Sequence, residues 1–127
     1  MLQRLLHLVR DLAARRRRGR GDLGDRGEAI AETHLRNLGY TLVARNWSCR
    51  AGELDLVMRD GDVLVFVEVK TRRGGRPEDA VHAGKRRKLI AAAKRFLHEH
   101  PATAHRFDIV AVVVEGTTTV RHHPYAF

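Results

Sequence analysis

Carboxylates and one lysine recur at two-residue spacing in the middle of this chain, within the run Gly52–Lys70. The residues concerned are Glu53, Asp55, Glu68 and Lys70. Asp60-Gly61 separates the two halves of the run, and such a dipeptide between apolar stretches is a strong β-hairpin signal. Because side chains alternate along a strand, all four residues fall on one hairpin face, at the end far from the turn. The opposite face is expected to be apolar, with Leu54, Leu56, Met58, Val63, Val65, Val67 and Val69.

With Asp60-Gly61 as the turn, the hairpin register places Glu53 opposite Glu68. Like charges facing each other destabilise a sheet, and two carboxylates about 5 Å apart repel by about 3 kcal/mol at an effective dielectric of about 20. An oxygen-preferring divalent cation such as Mg²⁺ or Mn²⁺ would remove this repulsion. Lys70 could then orient a water or stabilise a developing anion. The alternative is an exposed hairpin face on which Lys70 forms an ordinary salt bridge with Glu53 or Glu68, but the facing acids favour a site.

The charge of the chain predicts a polyanionic partner. Its 127 residues suit one domain and carry 24 Lys+Arg against 15 Asp+Glu, a formal net charge of +9. Nucleic acid, whether DNA or RNA, fits this charge best, and an anionic membrane surface is the less favoured alternative. The single cysteine, Cys49, excludes an intramolecular disulfide and fits a cytoplasmic location. No apolar run approaches the ~20 residues that span a bilayer, so no integral membrane association is expected.

Residues 1–22 differ in character from the rest of the chain. Apolar residues recur there at helical spacing, and the basic run Arg15–Arg18 follows them. This pattern predicts a basic amphipathic N-terminal segment that is mobile and adds affinity for phosphate or for a membrane surface. Residues 23–127 are then expected to form a single folded domain.

Two helices are predicted, one before and one after the hairpin. The first runs from about Arg26 to Leu38, and Asp25 with Glu28 has the spacing of a capping box. Glu28 also borders the buried stripe of this helix, so it either caps the helix or leans inward toward the hairpin. The second helix runs from about Glu78 to His98. Lys85 falls on its apolar stripe, where a lysine must snorkel, pair with an acid or meet a ligand.

Three further strands and an arginine-rich loop complete the pattern. The predicted strands are Tyr40–Trp47, Arg106–Val114 and Thr117–Arg121. The helix before Arg106 permits a crossover to a parallel strand, so we expect an α/β domain with a mixed β-sheet flanked by helices. In the loop Thr71–Pro77, Arg72 and Arg73 either reach a phosphate backbone or stay solvated.

Several short motifs occur in a characteristic order along the chain. They are Gly27-Glu28, Leu35, Gly39-Tyr40, Gly52-Glu53-Leu54-Asp55-Leu56, Val67-Glu68-Val69-Lys70, Pro77-Glu78-Asp79-Ala80-Val81, Lys85 and Arg106-Phe107-Asp108. In this ordered set the chain resembles the YraN-like bacterial proteins, over roughly residues 24–115. That family belongs with the restriction-endonuclease-like nucleases and is similar to archaeal Holliday-junction resolvases. The resemblance implies a restriction-endonuclease-like fold, with a mixed β-sheet flanked by helices.

The resemblance also implies an activity and a set of site residues. The expected activity is metal-dependent hydrolysis of phosphodiester bonds in DNA, duplex or branched, with Mg²⁺ or Mn²⁺ as the cofactor. The catalytic set carried over to this chain is Glu28, Asp55, Glu68 and Lys70. The metal would be held by Asp55 and Glu68, with Glu28 as a further ligand, and Glu53 is an additional acid with no assigned role. The residues expected to bind the nucleic-acid backbone are Arg72, Arg73 and Lys85.

A non-catalytic reading stays open beside the nuclease. A nucleic-acid-binding protein could retain the nuclease fold without cutting, because phosphate contacts alone supply sequence-independent affinity. The oligomeric state is also open. Resolution of a DNA junction would require a symmetric homodimer, since two strands are cut across one branch point.

Overall fold

The computed structural model describes residues 21–127, which form two α-helices, five strands and one short 3₁₀ helix. Along the chain they are α1 (Asp22–Asn37), β1 (Thr41–Cys49), β2 (Gly52–Asp60), β3 (Val63–Arg72), the 3₁₀ helix (Pro77–Ala80), α2 (Ala83–Glu99), β4 (Ala104–Glu115) and β5 (Thr117–His123). The basic segment predicted for residues 1–22 lies outside the described residues, except for Gly21 and Asp22. Within the described chain, no helix combines the length and apolar character needed to cross a membrane.

The five strands form one sheet in the order β1-β2-β3-β4-β5. Neighbouring strands are antiparallel except for β3 and β4, which are parallel and are joined through α2. A parallel pair needs such a crossover, because the chain must return to the end of the sheet at which the first strand began. The predicted mixed α/β sheet flanked by helices is therefore confirmed.

Each face of the sheet is covered by one helix, so both faces of the hairpin β2–β3 carry apolar residues. Against α1 pack Leu56, Met58, Val65, Val67, Val69, Val110 and Val112. Against α2 pack Val43, Trp47, Leu54, Val57, Leu64, Phe66 and Ile109. The expectation of a single apolar hairpin face is wrong, because α2 packs on the acid-bearing face and buries apolar residues there as well. Leu54, expected on the same face as Leu56, also packs on the α2 side.

The hairpin turn lies one residue later than expected. Asp60 pairs with Val63, and the two-residue turn is Gly61-Asp62 rather than Asp60-Gly61. Gly61 has φ +60°, and a two-residue hairpin loop of this kind favours glycine at its first central position. The shift changes every pairing across the hairpin, so the expected register was wrong.

Both helices begin differently from the predictions. Helix α1 starts at Asp22, and Gly21 precedes it without a side-chain cap, so Glu28 lies inside the helix and is not part of a capping box. The predicted second helix is divided in two. Its first part is the 3₁₀ helix, anchored by Glu78, whose carboxylate accepts hydrogen bonds from Arg121 at 2.8 and 2.9 Å. Helix α2 then starts after His82, whose ring nitrogen accepts from the N–H of Lys85.

The ends of the elements also deviate where local contacts override the pattern. Leu38, predicted as the last residue of this helix, lies just beyond it and is 55% exposed, because the helix ends at Asn37 and Gly39 turns the chain with φ +96°. Strands β1 and β5 run two residues past their predicted last residues, β4 is longer at both ends, and β3 continues to Arg72, into the predicted loop. Backbone hydrogen bonding to neighbouring strands continues past the last apolar residue of each run. The hydrophobic pattern ends earlier and therefore underestimates where these strands end.

Candidate active site

An open cleft of about 380 Å³ lies between the first turns of both helices and the adjoining ends of β2 and β3. Its walls include Glu28, Glu53, Asp55, Glu68, Lys70, Arg72 and Lys85, together with Leu23, Gly24, Val69 and Thr71. The fold thus brings seven of the eight predicted site residues into one cleft, although they come from four different elements. The exception is Arg73, which is exposed and does not line the cleft.

Asp55, rather than Glu53, is the acid placed beside Glu68. The corrected register pairs Leu56 with Val67, so Asp55 lies level with Glu68 on the neighbouring strand. Its carboxylate accepts a 2.9 Å hydrogen bond from the N–H of Val69, which fixes the side chain between the two strands. Both acids are buried, whereas Glu53 is exposed at the rim of the cleft. The expected facing pair of Glu53 and Glu68 is therefore wrong, and the acid pair consists of Asp55 and Glu68.

Glu68 has an unusual electrostatic environment. Only 4% of the residue is exposed, and the amines of Lys70 and Lys85 each lie 3.6 Å from its Oε1 atom. Its other oxygen, Oε2, is buried and has no hydrogen-bond partner within the described chain. Burial and the neighbouring Asp55 carboxylate raise the pKa of Glu68 to about 8, against the opposing effect of the two lysines. Two lysines are thus insufficient to keep Glu68 fully ionised at neutral pH.

Lys85 reaches this site from the first turn of α2. The sequence left three outcomes for a lysine on the apolar stripe, and the structure selects the one in which it pairs with an acid. Lys70 approaches the same Glu68 oxygen from β3, two residues further along the strand. Both amines remain partly accessible from the cleft, so a bound anion could contact them while they neutralise Glu68.

Glu28 is held by a residue that the sequence did not single out. The Asn46 side-chain amide donates a 2.7 Å hydrogen bond to Glu28 Oε1, and both residues are buried. Asn46 has φ +48° in the middle of β1, a conformation that costs free energy in any residue except glycine and is less costly for asparagine than for most others. The oxygen of the same amide, Oδ1, is buried without a hydrogen-bond partner among the described residues. Only the tolerance of asparagine for left-handed backbone could have pointed to this position.

The donor set of the cleft suits a hard divalent cation. All of its acidic ligands are carboxylates, which Mg²⁺ and Mn²⁺ prefer, and the buried unpartnered oxygen of Glu68 is available as a ligand. Over residues 21–127, no three histidine, cysteine, aspartate or glutamate side chains converge as a preformed metal site. Mg²⁺ commonly uses one or two carboxylates and fills its other positions with water and phosphate. Asp55 and Glu68 can meet that requirement, with Glu28 in the same cleft.

Comparison with known proteins identifies the family. Residues 27–112 match the sequence profile described as "Uncharacterised protein family UPF0102". A UPF0102 protein of Ectopseudomonas mendocina is 51% identical, with 76% of this chain and 87% of the relative covered. Others, from Chloroflexus aurantiacus and Anaeromyxobacter dehalogenans, are 44% and 45% identical and cover 74% and 86% of this chain, and 81% and 86% of their own lengths. The family resemblance seen in the sequence is confirmed, and the chain belongs to the protein family UPF0102.

Proposed function

We propose that this protein is a metal-dependent endonuclease that hydrolyses phosphodiester bonds in DNA, including branched DNA. The observation that carries the proposal is the buried pair of Asp55 and Glu68, with Glu68 flanked by two lysines in an open cleft. Burying two adjacent carboxylates is unfavourable unless a cation joins them. In a chain of net charge +9, a polyanionic substrate would bring its own phosphate to the same place.

In this proposal Asp55 and Glu68 hold Mg²⁺ or Mn²⁺, with the main-chain carbonyl of Val69 and, through water, Glu28. A bound divalent cation would supply Lewis-acid stabilisation of the phosphate and a lowered pKa for a water molecule. Lys70 orients the attacking water and neutralises the charge that grows on the phosphate oxygens. Attack of the water oxygen on phosphorus breaks one phosphodiester P–O bond; the attacking water gives up a proton to solvent, and the departing oxygen takes up a proton from solvent. No covalent bond to the protein forms.

The cations around the cleft then have a role in substrate binding. Lys85 and Arg72 line the cleft and are accessible, so they would contact phosphates on either side of the bond that is cut. Arg73 follows Arg72 outside the cleft and would contact the backbone further away. These contacts would bind RNA as well as DNA, because both carry the same phosphate chain. The choice between the two is therefore part of the experiment.

One specific alternative is a nucleic-acid-binding protein that does not cut. It is supported by the net charge and by the lack of a three-ligand metal site within the described residues. Both functions predict affinity that falls steeply as salt increases. They differ in turnover, because only the nuclease requires a divalent cation and an ionised Glu68.

The test uses labelled duplex, flap and four-way-junction DNA together with matched RNA, each incubated with Mg²⁺, Mn²⁺ or a chelator. We expect cleavage only with a divalent cation. Glu68→Gln, which keeps the shape and removes the charge, should abolish it, and Lys70→Met should slow it by about 100-fold or more. Glu99→Gln removes an exposed carboxylate at the far end of α2 and serves as the matched control. Equal cleavage by all four proteins would assign the activity to a contaminant, and binding without cleavage would favour the alternative.

Two further features belong to the same proposal. If branched DNA is the substrate, paired cuts require two active sites related by symmetry, and we therefore propose a homodimer on the junction. Light scattering of the protein with and without a four-way junction tests this, and a single copy bound to each junction would contradict it. The proposed site of action is the cytoplasm, where DNA is accessible in a bacterial cell.

A further inference from the structure

A second groove, of about 530 Å³, lies beside the acidic cleft, where the start of α2 meets the turn between β1 and β2. The α2 groove, as we name it, is lined by Ala51, His82, Gly84, Lys85, Arg87, Lys88 and Ala91. Lys85 lines both this groove and the cleft that holds the acid pair. The two depressions are therefore neighbours that share one cationic side chain, and a single extended ligand could occupy both.

The charges of the α2 groove are of one sign. Its lining includes three permanent cations and one histidine but no carboxylate. Arg87 and Lys88 are exposed, and neither forms a salt bridge within the described chain. Adjacent cations of the same helix are used differently: Arg86 donates to the Val81 carbonyl at 3.1 Å and lies 5.3 Å from the Phe127 ring centre, and Arg95 pairs with Glu99. Two adjacent cations without a salt bridge thus lie together at the groove, whereas Lys94, further along the helix, is a single such cation within the described chain.

Small residues form the floor of the α2 groove. The turn between β1 and β2 packs closely on α2: a Cβ atom added at Gly52 would lie only 3.3 Å from the Lys88 carbonyl oxygen. A Cβ atom on Gly84 would lie 3.3 Å from the His82 ring and 3.7 Å from the Arg87 guanidinium. A larger residue at Gly84 would therefore project toward the guanidinium and fill the space. A narrow floor of small residues with cations around it fits a flexible anionic chain.

We propose that the α2 groove binds the backbone phosphates of the nucleic acid next to the phosphate that enters the acidic cleft. Lys85 is the shared contact, and Arg87 and Lys88 bind the phosphates beyond it. The proposal rests on the proposed function for the position of the bond that is cut. It adds that the substrate must extend past the cleft along α2, so a nucleic acid ending at the cut would lose these contacts.

A nucleic acid fits the α2 groove better than a membrane surface does. The groove is concave, whereas a bilayer presents a broad surface that needs a flat basic face with apolar residues to insert. Among the described residues of α2, Ile90 is the one large apolar side chain that is exposed, so the helix offers little apolar surface for insertion into a bilayer. The adjacent acid pair repels phosphates of either kind until a divalent cation neutralises it, so shape and not this repulsion favours the nucleic acid. A phosphate chain can follow the cations and bring one phosphate to that site.

The test measures binding in the presence of a chelator, so that no cleavage interferes. Anisotropy of a labelled DNA duplex gives the dissociation constant over a series of salt concentrations for the full chain. The variant Arg87→Ala/Lys88→Ala removes the two cations of the groove. Lys94→Ala/Arg95→Ala removes the same formal charge from exposed positions further along the same helix and is the matched control. All four positions are exposed, so both variants should fold, which thermal unfolding will verify.

We expect the groove variant to bind DNA more weakly and to reduce the slope of log affinity against log salt by about 2, or about 1 for each lost phosphate contact. The control variant should keep the slope of the wild type. Equal slopes in the wild type and the groove variant, or equal reductions in both variants, would overturn the proposal. Loss of affinity for anionic vesicles with unchanged DNA binding would also overturn it, because the groove would then serve a membrane surface.

The same variants separate this proposal from the nuclease proposal. If the groove variant loses slope but the wild type never cuts nucleic acid, the α2 groove stands and the nuclease function falls. If the wild type cuts in a Glu68-dependent manner while the groove variant binds DNA normally, the nuclease function stands and the α2 groove proposal falls.

Discussion

Gly27 on α1 lies directly against the side chain of Thr71 on β3. A Cβ atom at position 27 would overlap the Thr71 hydroxyl and lie 2.8 and 2.9 Å from its two side-chain carbons. The contact joins the helix residue before Glu28 to the strand residue after Lys70, so it sets how far the helix acid stands from the strand residues of the cleft. Gly27 has an ordinary helical backbone, so conformation does not require a glycine here. The close approach of the helix to Thr71 does.

Gly27→Ala should destabilise the protein by about 1–3 kcal/mol, because the helix must move away from the sheet to admit the methyl group. Urea unfolding measures the change. Gly24→Ala, in the first turn of the same helix with nothing within 4 Å of the added atom, is the matched control and should stabilise by about 0.5–1 kcal/mol. Adding Thr71→Ala to Gly27→Ala should recover part of the loss, and no recovery would contradict the proposed contact.

Substitutions of Asn46 should separate backbone strain from the positioning of Glu28. Asn46→Gly relieves the φ +48° conformation, which is worth about 1 kcal/mol, but removes the hydrogen bond to Glu28. We therefore expect little loss of thermal stability together with a fall in cleavage of about ten-fold or more. Asn46→Asp should be worse in both respects, because it places a carboxylate against the Glu28 carboxylate. If Asn46→Gly cleaves DNA like the wild type, Asn46 does not position Glu28.

The raised pKa of Glu68 predicts that stability falls as the pH rises. Its pKa is about 8 in the folded protein against an ordinary value of 4.5, so the folded state holds a proton that the unfolded chain releases. The stabilisation from this proton is complete below about pH 4.5 and is lost as the pH rises through about 8. Unfolding free energies measured with a chelator over this range should decline for the wild type. Glu68→Gln does not titrate and should flatten this part of the profile, and an identical slope in the variant would contradict the assignment.

Divalent cations should reverse this decline. Mg²⁺ or Mn²⁺ binds ionised carboxylates, so binding becomes tighter as Glu68 loses its proton. The rise in melting temperature on adding Mn²⁺ should accordingly be larger at about pH 8 than at about pH 5, and a chelator should abolish it. Asp79→Asn, which removes an exposed acid, should keep the shift, while Glu68→Gln should lose most of it. A shift of the same size in both variants would place the cation elsewhere.

Asp108 should be a structural acid with the opposite pH dependence. It is fully buried and lies within hydrogen-bond distance of Arg106, His122 and the N–H of Tyr125. Burial by itself would raise the pKa of Asp108, but hydrogen bonds from His122 and Arg106 lower it below its ordinary value of 3.8. The stabilisation is therefore present above about pH 3.8 and lost as the pH falls further.

Asp108→Asn should cost about 3 kcal/mol at neutral pH, because it leaves Arg106 buried with less compensation. The variant should also lose less stability than the wild type on acidification to about pH 3. Unfolding by urea at both pH values tests this. Equal acid sensitivity of the two proteins would show that other carboxylates dominate acid unfolding.

Much of the site could be predicted because its signals are local in sequence. Two-residue spacing on strands β2 and β3 put Asp55, Glu68 and Lys70 near one another, and helical spacing put Lys85 on the inner side of α2. Errors arose where a local pattern allowed two outcomes. Asp60-Gly61 and Gly61-Asp62 both contain the glycine of the turn, and moving the turn by one residue replaced Glu53 with Asp55 as the neighbour of Glu68.

Local periodicity and motif order in the sequence by themselves determined the mixed sheet, its two covering helices and the family. The tertiary structure alone decided how Glu28 is used, since its partner Asn46 is 18 residues away and has a backbone conformation that no pattern reports. It also decided that α2 would cover the acid-bearing face and that Lys85 would meet Glu68. These contacts join segments that are distant in the chain. Whether each one forms depends on the other contacts that pack the same segments together, and no local sequence pattern reports those.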